Sequence, residues 1–350
     1  MCCLLLSAKT IRGILPRTPG DIIMSEQREL PAKPIGAVAS LSAGLDTVIQ
    51  GWWILLFPLA LDLFLWLGPR LSIRPVTDSF LATLAPLVEE NPALELIETA
   101  AAELNYFSTV SVTPLGVPSL MAIKLPQSTP IGTPATYMVS DELLWLGLFL
   151  GLSLGGLLMG GIYMGLITQQ VRDGSPDLRR LLTAMPRYWF SVVVLIIALL
   201  MAGAILAVPV IFAAALLSGL SAWIATLVVW IGFMLFLWLV FHLFFTIHGI
   251  LLNRQPLPMA AWNSLRLVAF NSFSVMGLLA LVFALSAGLN YLWSLPNENS
   301  WMLLVGIGGH ALISSALVAT TFVFFQDRYR YWRQVQDYFA QRRKNDVSGS

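Results

Sequence analysis

Two ionisable residues inside long apolar stretches are the first candidates for chemistry in this chain. Asp62 lies in the stretch from Val48 to Leu67. His310 lies in the stretch from Trp301 to Phe325. Because an ionisable group is costly to bury in hydrocarbon, such residues usually pair with one another or line a path for protons or ions. At the rise of an α-helix, Asp62 would lie about 9 Å and His310 about 13 Å inward from the outer ends of their stretches.

Their similar depths allow Asp62 and His310 to form a pair that relays protons or binds a cation. The alternatives are a hydrogen-bonded pair with no further role, and an Asp62 that reaches outward to the headgroups. Four hydroxyl side chains extend the polar face beyond His310: Ser314, Ser315, Thr320 and Thr321. His242 and His248 do not have the four-residue spacing of a metal-binding pair on a helix, so the sequence predicts no metal and no cofactor.

The composition predicts that membrane-spanning helices position these residues. Hydrophobic residues make up 57% of the chain and charged residues only 11%, whereas about a quarter of the residues in soluble domains are charged. A helix needs about 18 or more apolar residues to cross the hydrocarbon. Six stretches qualify: Val48 to Leu67, Leu143 to Ile167, Trp189 to Phe212, Leu220 to Ile247, Phe273 to Trp293 and Trp301 to Phe325. We therefore expect an all-α integral membrane protein with a six-transmembrane-helix bundle.

The distribution of charge between the loops predicts the orientation of this bundle. All but three of the 20 basic residues fall in the N-terminal segment, the second and fourth loops and the tail. Since loops rich in Lys and Arg stay in the cytoplasm, both termini should be cytoplasmic (N-in, C-in) in the plasma membrane. Most of the 12 tryptophans fall at predicted boundaries, which favours the same assignment. The partner implied is the lipid bilayer, and the net charge of +1 gives no reason to expect nucleic acid.

Five segments follow from these boundaries. Residues 1–43 are predicted to be a disordered cytoplasmic segment, and our hypothesis is that Met24 is the initiator, so that 1–23 would not be translated. Residues 44–68 form the first crossing, 69–142 an external cap and 143–326 the five remaining crossings. Residues 327–350 form a basic, aromatic cytoplasmic tail.

The cap should be a small helical hairpin between the first two crossings. Asn91-Pro92 is a typical helix start, and residues Ala93 to Phe107 have apolar side chains on one face. A preceding helix from Phe80 to Val88 would complete the hairpin, which turns about Glu89-Glu90-Asn91. The proline-rich run from 114 to 134 favours extended loop with one short hairpin. The cap either covers the bundle or binds a ligand.

Glycines in the second crossing recur at four-residue spacing, which lets helices approach closely. They include Gly147, Gly151, Gly155, Gly156 and Gly160. This ridge predicts tight packing inside the bundle. The alternative is a contact with a membrane protein partner, or a homodimer, through the same crossing.

The basic loops form two similar units. In each, a crossing ends at a polar turn, a short amphipathic helix follows at the inner surface, and the next crossing returns, which indicates two parallel helix-elbow-helix repeats. Five side chains are expected at this inner interface: Arg179, Arg180, Trp189, Arg266 and Trp332.

Three segments carry a resemblance to a known group of proteins. They are the unit from Gly174-Ser175-Pro176 to Trp189, the unit from Pro258-Met259-Ala260-Ala261-Trp262 to Asn271, and the aromatic, basic exit after Phe325. Over about the last 200 residues the chain resembles six-span bacterial membrane proteins related to the membrane domain of some glycerophosphodiester phosphodiesterases. In those enzymes a separate soluble domain performs the catalysis, so the resemblance implies a membrane module without phosphodiesterase activity.

Two functions remain open on the sequence. The first is a non-catalytic membrane module that acts as a scaffold, assembly factor or partner subunit. The second is a small transporter or lipid-handling protein with a polar path near Asp62 and His310. A transporter should have a hydrated central cavity or a broken helix, whereas a scaffold should have a filled bundle and an exposed apolar patch.

Overall fold

The computed structural model describes residues 33–84, 98–101, 103–112 and 115–348. The chain divides into two compact units, which are Ile35–Arg328 and a smaller unit made of Met1–Pro34 and Tyr329–Ser350. In the smaller unit the described tail is helical, and the rings of Tyr329 and Trp332 lie 5.9 Å apart. The larger unit holds the apolar helices.

The segment predicted to be the first crossing is strongly bent. Helix α1 (Ala37–Gln50) is followed by one 3₁₀ turn (Trp52–Leu55) and helix α2 (Leu56–Leu67). The two halves meet at 88° because Gly51 has a non-helical backbone, with φ −105° and ψ 41°. The sequence predicts disorder up to residue 43 and a helix over 44–68, whereas the structure has a helix from Ala37. Pattern reading misses this helix because its 14 residues are too few to cross a membrane by themselves, and its small side chains Ser40 and Gly44 become buried only by packing.

The cap between the first and second crossings contains short elements. Strand β1 (Arg70–Ser72) leads to helix α3 (Arg74–Leu84), and after a 3₁₀ turn (Tyr106–Ser108) come helices α4 (Thr109–Val112) and α5 (Leu120–Lys124). Strand β2 (Thr136–Met138) pairs in parallel with β1.

The predicted helical hairpin of the cap can be compared only in part. The turn about Glu89-Glu90-Asn91 lies outside the described residues, as does the start of the helix predicted over 93–107. Its end is wrong, because Asn105 is extended and caps the 3₁₀ turn by accepting a hydrogen bond from the Phe107 amide. Helix α5 lies in the run predicted to be extended. A tight turn in which Thr129 and Gly132 exchange two backbone hydrogen bonds also falls there.

Six further helices follow the cap: α6 (Glu142–Asp173), α7 (Leu178–Ser218), α8 (Ala222–Leu243), α9 (Thr246–Asn253), α10 (Leu257–Ser294) and α11 (Leu303–Ser348). The all-α class is confirmed. Within the described residues, five helices are long and apolar enough to cross a membrane when α8 and α9 are taken together, and the bent pair would make a sixth crossing. Helix α11 is the most buried of them.

The two elbows share their backbone geometry at the turn. Gly174 caps the C-terminus of helix α6 and Arg254 caps that of helix α9, and both residues have a left-handed backbone, with φ of 71° and 52°. The structure differs from the prediction of a separate short helix in each elbow. The first elbow continues without a break into the crossing as the 41-residue helix α7, and the second is set off from its crossing by a kink at Asn271.

Candidate functional site

Asp62 joins the first crossing to the cap. Its side chain is fully buried and one carboxylate oxygen accepts hydrogen bonds from the Ser119 hydroxyl (2.5 Å) and the Met121 amide (3.0 Å). Ser119 in turn caps α5 by accepting a hydrogen bond from the Ala122 amide. The carboxylate therefore satisfies the first donors of a short helix that the sequence does not predict.

His310 does not pair with Asp62. Its Nδ1 donates to the side-chain oxygen of Asn290 on α10 at 2.8 Å, and the structure has no hydrogen bond or ion pair between the two predicted partners. The hydroxyl of Ser314 is used locally, because it donates to the carbonyl of His310 one turn back. The proposed pair is thus wrong: each residue connects its own helix to a different neighbour.

The remaining hydroxyls of α11 are also used in contacts between helices. The Tyr163 hydroxyl on α6 donates to the Ser315 hydroxyl at 2.7 Å. His248 on α9 lies 2.9 Å from the Thr321 hydroxyl, which itself donates to the Val318 carbonyl. Thr320 packs against Gly44 of α1, where an added Cβ would overlap its side chain. The sequence does not single out Tyr163 or Gly44, since nothing local relates either residue to α11.

The described residues form a pocket elsewhere, at the basic end of the bundle, by which we mean the end that carries the 174–177 and 254–256 loops. Its volume is about 320 Å³, and it lies between α6, α7 and α9. Twelve residues line it: Gly165, Thr168, Gln169, Arg172, Arg180, Leu181, Thr183, Ala184, Arg187, Tyr188, Leu251 and Arg254. We refer to this cavity as the arginine pocket. Of the residues predicted at the inner interface, only Arg180 lines it.

Two buried glutamines stabilise the turn between α6 and α7, beside the arginine pocket. The side chain of Gln169 donates to the Asp177 carbonyl (3.2 Å) and accepts from the Asp177 amide (2.8 Å). Gln170 donates to the Gly174 carbonyl. These bonds fold the turn between α6 and α7 back on the end of α6, which fixes where α7 begins.

Two of the four arginines in the pocket have acidic partners. Arg172 forms a bidentate salt bridge with Asp173, with N–O distances of 2.9 and 2.7 Å, and also donates a hydrogen bond to the Leu252 carbonyl. Arg180 lies 3.8 Å from Asp177. For Arg187 and Arg254, none of the carboxylates that the structure describes lies within ion-pair distance.

Helix α9, which lines the pocket together with α6 and α7, follows a break in the predicted fourth crossing. Between α8 and α9 the helix is interrupted at Phe244 and Phe245. The Ser264 hydroxyl on α10 repairs the break, because it donates to the His242 carbonyl (2.7 Å) and accepts from the Phe245 amide (3.1 Å). Helix α9 therefore does not continue α8 as one regular helix, and its Leu251 and the following Arg254 line the pocket.

The glycine ridge of α6 divides into two parts. At Gly156 and Gly160 an added Cβ would collide with backbone atoms of the cap, at Val110 and Leu115 respectively. At Gly147, Gly151 and Gly155 nothing lies within 4 Å of such an atom. The first pair therefore packs against the cap and not against another long helix of the bundle, which differs from the predicted packing, and the second set has free space around it.

The other residues predicted at the inner interface have separate environments. Arg179 is exposed, and Trp189 donates through its indole N–H to the Leu154 carbonyl. Arg266 lies over the ring of Trp262 at 4.9 Å. Trp332 belongs to the tail unit and contacts Tyr329.

Within the described ranges, no group of three or more His, Cys, Asp or Glu side chains could hold a metal ion. What the arginine pocket can do chemically is bind an anion, since guanidinium groups pair well with carboxylates and phosphates. Comparison with protein families, with curated proteins and with solved structures finds no match to this chain.

Proposed function

We propose that this protein is a non-catalytic module of the plasma membrane that acts as a scaffold or partner subunit, with six crossings and both termini in the cytoplasm. One observation carries the proposal: the polar side chains of the crossings bind one another or the cap. Ser315, Thr321 and His310 each bond to a neighbouring helix, and Asp62 bonds to the cap. These contacts support a structural role for the polar side chains of the crossings.

The surface of the cap supports a role in binding a partner. Four apolar side chains on it are exposed by more than 60% of their area: Ile123, Ile131, Tyr137 and Met138. Ile123 lies in helix α5, Ile131 in the 129–132 turn, and Tyr137 and Met138 in strand β2, so none of them is part of an apolar crossing. These exposed apolar side chains outside the crossings are the candidate contact points for a partner protein.

A small transporter is the second candidate, and the break between α8 and α9 favours it. Broken helices in transporters expose backbone groups that bind the substrate. Here the Ser264 hydroxyl is hydrogen-bonded to both backbone groups at the break, the His242 carbonyl and the Phe245 amide. The described pocket is also at the basic end of the bundle and not beside Asp62 or His310. These two facts weigh in favour of the module.

Photocrosslinking in native membranes tests the module. A photoreactive amino acid at position 138 should give a discrete protein adduct, because that side chain is 72% exposed on the cap. The matched control is position 273 on α10, where Phe273 is 91% exposed within an apolar crossing and should contact lipid. The module is disproved if position 138 gives no protein adduct and the protein purifies alone in mild detergent.

A further inference from the structure

The arginine pocket has a charge arrangement that bundle packing does not require. Arg180 and Arg187 lie on the same face of α7, because residues seven apart are two helical turns apart. Arg172 and Arg254 reach the pocket from the ends of α6 and α9. Bringing cations together from three helices costs free energy through like-charge repulsion. An anion bound between them would offset that cost.

The charges around the pocket leave an excess of two. Asp173 and Asp177 pair with Arg172 and Arg180, and these contacts hold the two arginines in place. Arg187 and Arg254 have no carboxylate of the described chain within ion-pair distance. A phosphate group carries one or two negative charges and accepts paired hydrogen bonds from guanidinium groups. It therefore matches the excess in both charge and geometry.

The dimensions of the pocket limit what can enter. A volume of about 320 Å³ is near the lower end of the range for small-molecule sites. An apolar crevice shares Tyr188 and Leu251 with it and measures about 10 Å³, which is about the space of one water molecule. A phosphate headgroup fits the pocket, whereas an acyl chain cannot follow it into the crevice.

We propose that the arginine pocket binds a phosphate group, with Arg187 and Arg254 as the direct ligands and Arg172 and Arg180 as the frame. The phosphate belongs either to an anionic lipid, whose chains stay in the bilayer, or to a small soluble ester. This inference is independent of the scaffold role, because it concerns the isolated protein.

Native mass spectrometry of the purified full chain tests the lipid source. With equimolar phosphatidylglycerol and phosphatidylcholine added in detergent, the protein should retain the anionic lipid preferentially. The double variant R187Q/R254Q should reduce that retention by roughly tenfold or more, since charge-assisted hydrogen bonds to phosphate are lost. The matched control R179Q/R266Q removes two arginines from the basic end outside the pocket, and it should leave retention unchanged.

A second variant separates the pocket from surface charge. Thr183 lies exposed on the rim, so T183W should fill the cavity without changing any charge and should also abolish retention. Titration with inorganic phosphate and glycerol 3-phosphate tests the soluble source. Binding of these with the same dependence on the variants, without lipid selectivity, would assign the site to a soluble ester. The proposal is overturned if neither ligand binds, if R179Q/R266Q weakens binding equally, or if T183W binds like the wild type.

Discussion

At the scale of single residues, the buried polar side chains act as connectors between segments. Asp62 shows this best, because one of its oxygens holds both the hydroxyl of Ser119 and the amide of Met121. Asp62→Leu would leave two buried donors without an acceptor, at a cost of about 1–3 kcal/mol each. We expect a clear fall in the thermal unfolding temperature in detergent and faster proteolysis of the 119–125 segment.

The matched variant Asp62→Asn separates a connector from a proton carrier. The amide oxygen can still accept from Ser119 and Met121, so Asp62→Asn should be closer in stability to the wild type than Asp62→Leu. If the asparagine variant unfolds at the same temperature as the leucine variant, hydrogen bonding is not what Asp62 contributes, and a role for its charge has to be reconsidered.

At the scale of elements, two glycines of helix α6 that look alike in the sequence should respond differently to substitution. A side chain at Gly160 would overlap the Leu115 carbonyl, whereas Gly151 has free space around it. Gly160→Leu should destabilise the fold by at least about 1–3 kcal/mol, the usual range for overpacking, and Gly151→Leu should leave it intact. Thermal unfolding compares the two. Crosslinking in membranes then tests dimerisation: loss of a dimer in Gly151→Leu alone would assign the exposed glycines to a homodimer contact.

The break between α8 and α9 gives a second prediction at this scale. Ser264→Ala removes the partner of both the His242 carbonyl and the Phe245 amide, which are buried, so stability should fall by about 1–3 kcal/mol for each group. Ser272→Ala is the control, because that hydroxyl bonds only within its own helix. Equal unfolding temperatures for the two variants would contradict the role given to Ser264.

At the scale of the whole molecule, the orientation can be measured directly. In a background with Cys2 and Cys3 replaced by serine, a cysteine at Ser140 in the cap should react with an impermeant reagent on intact cells. A cysteine at Ser175 in the turn after α6 should react only after permeabilisation, since the basic loops should be cytoplasmic. Both side chains are exposed. Labelling of both in intact cells would rule out a single crossing between the two positions.

Composition and hydropathy predict the helical class and most of the long helices because both are local properties. About 20 apolar residues form a helix in hydrocarbon whatever they pack against. The same reasoning fails at α1, where Gly44 is buried against Thr320 of α11, and at α5, whose first turn depends on Ser119 and on the distant Asp62. It also misses the 88° bend at Gly51.

The candidate sites show most clearly which features the sequence determines and which depend on the tertiary structure. By itself the sequence determines that this chain is helical, apolar and suited to a membrane, and that its arginines gather in certain loops. Only the tertiary structure decides that Asp62 meets Ser119 instead of His310, that Tyr163 meets Ser315, and that arginines from three helices share one pocket. The physical reason is distance along the chain: the Asp62–Ser119 and Tyr163–Ser315 pairs are separated by 57 and 152 residues, and no local pattern encodes which side chains will converge.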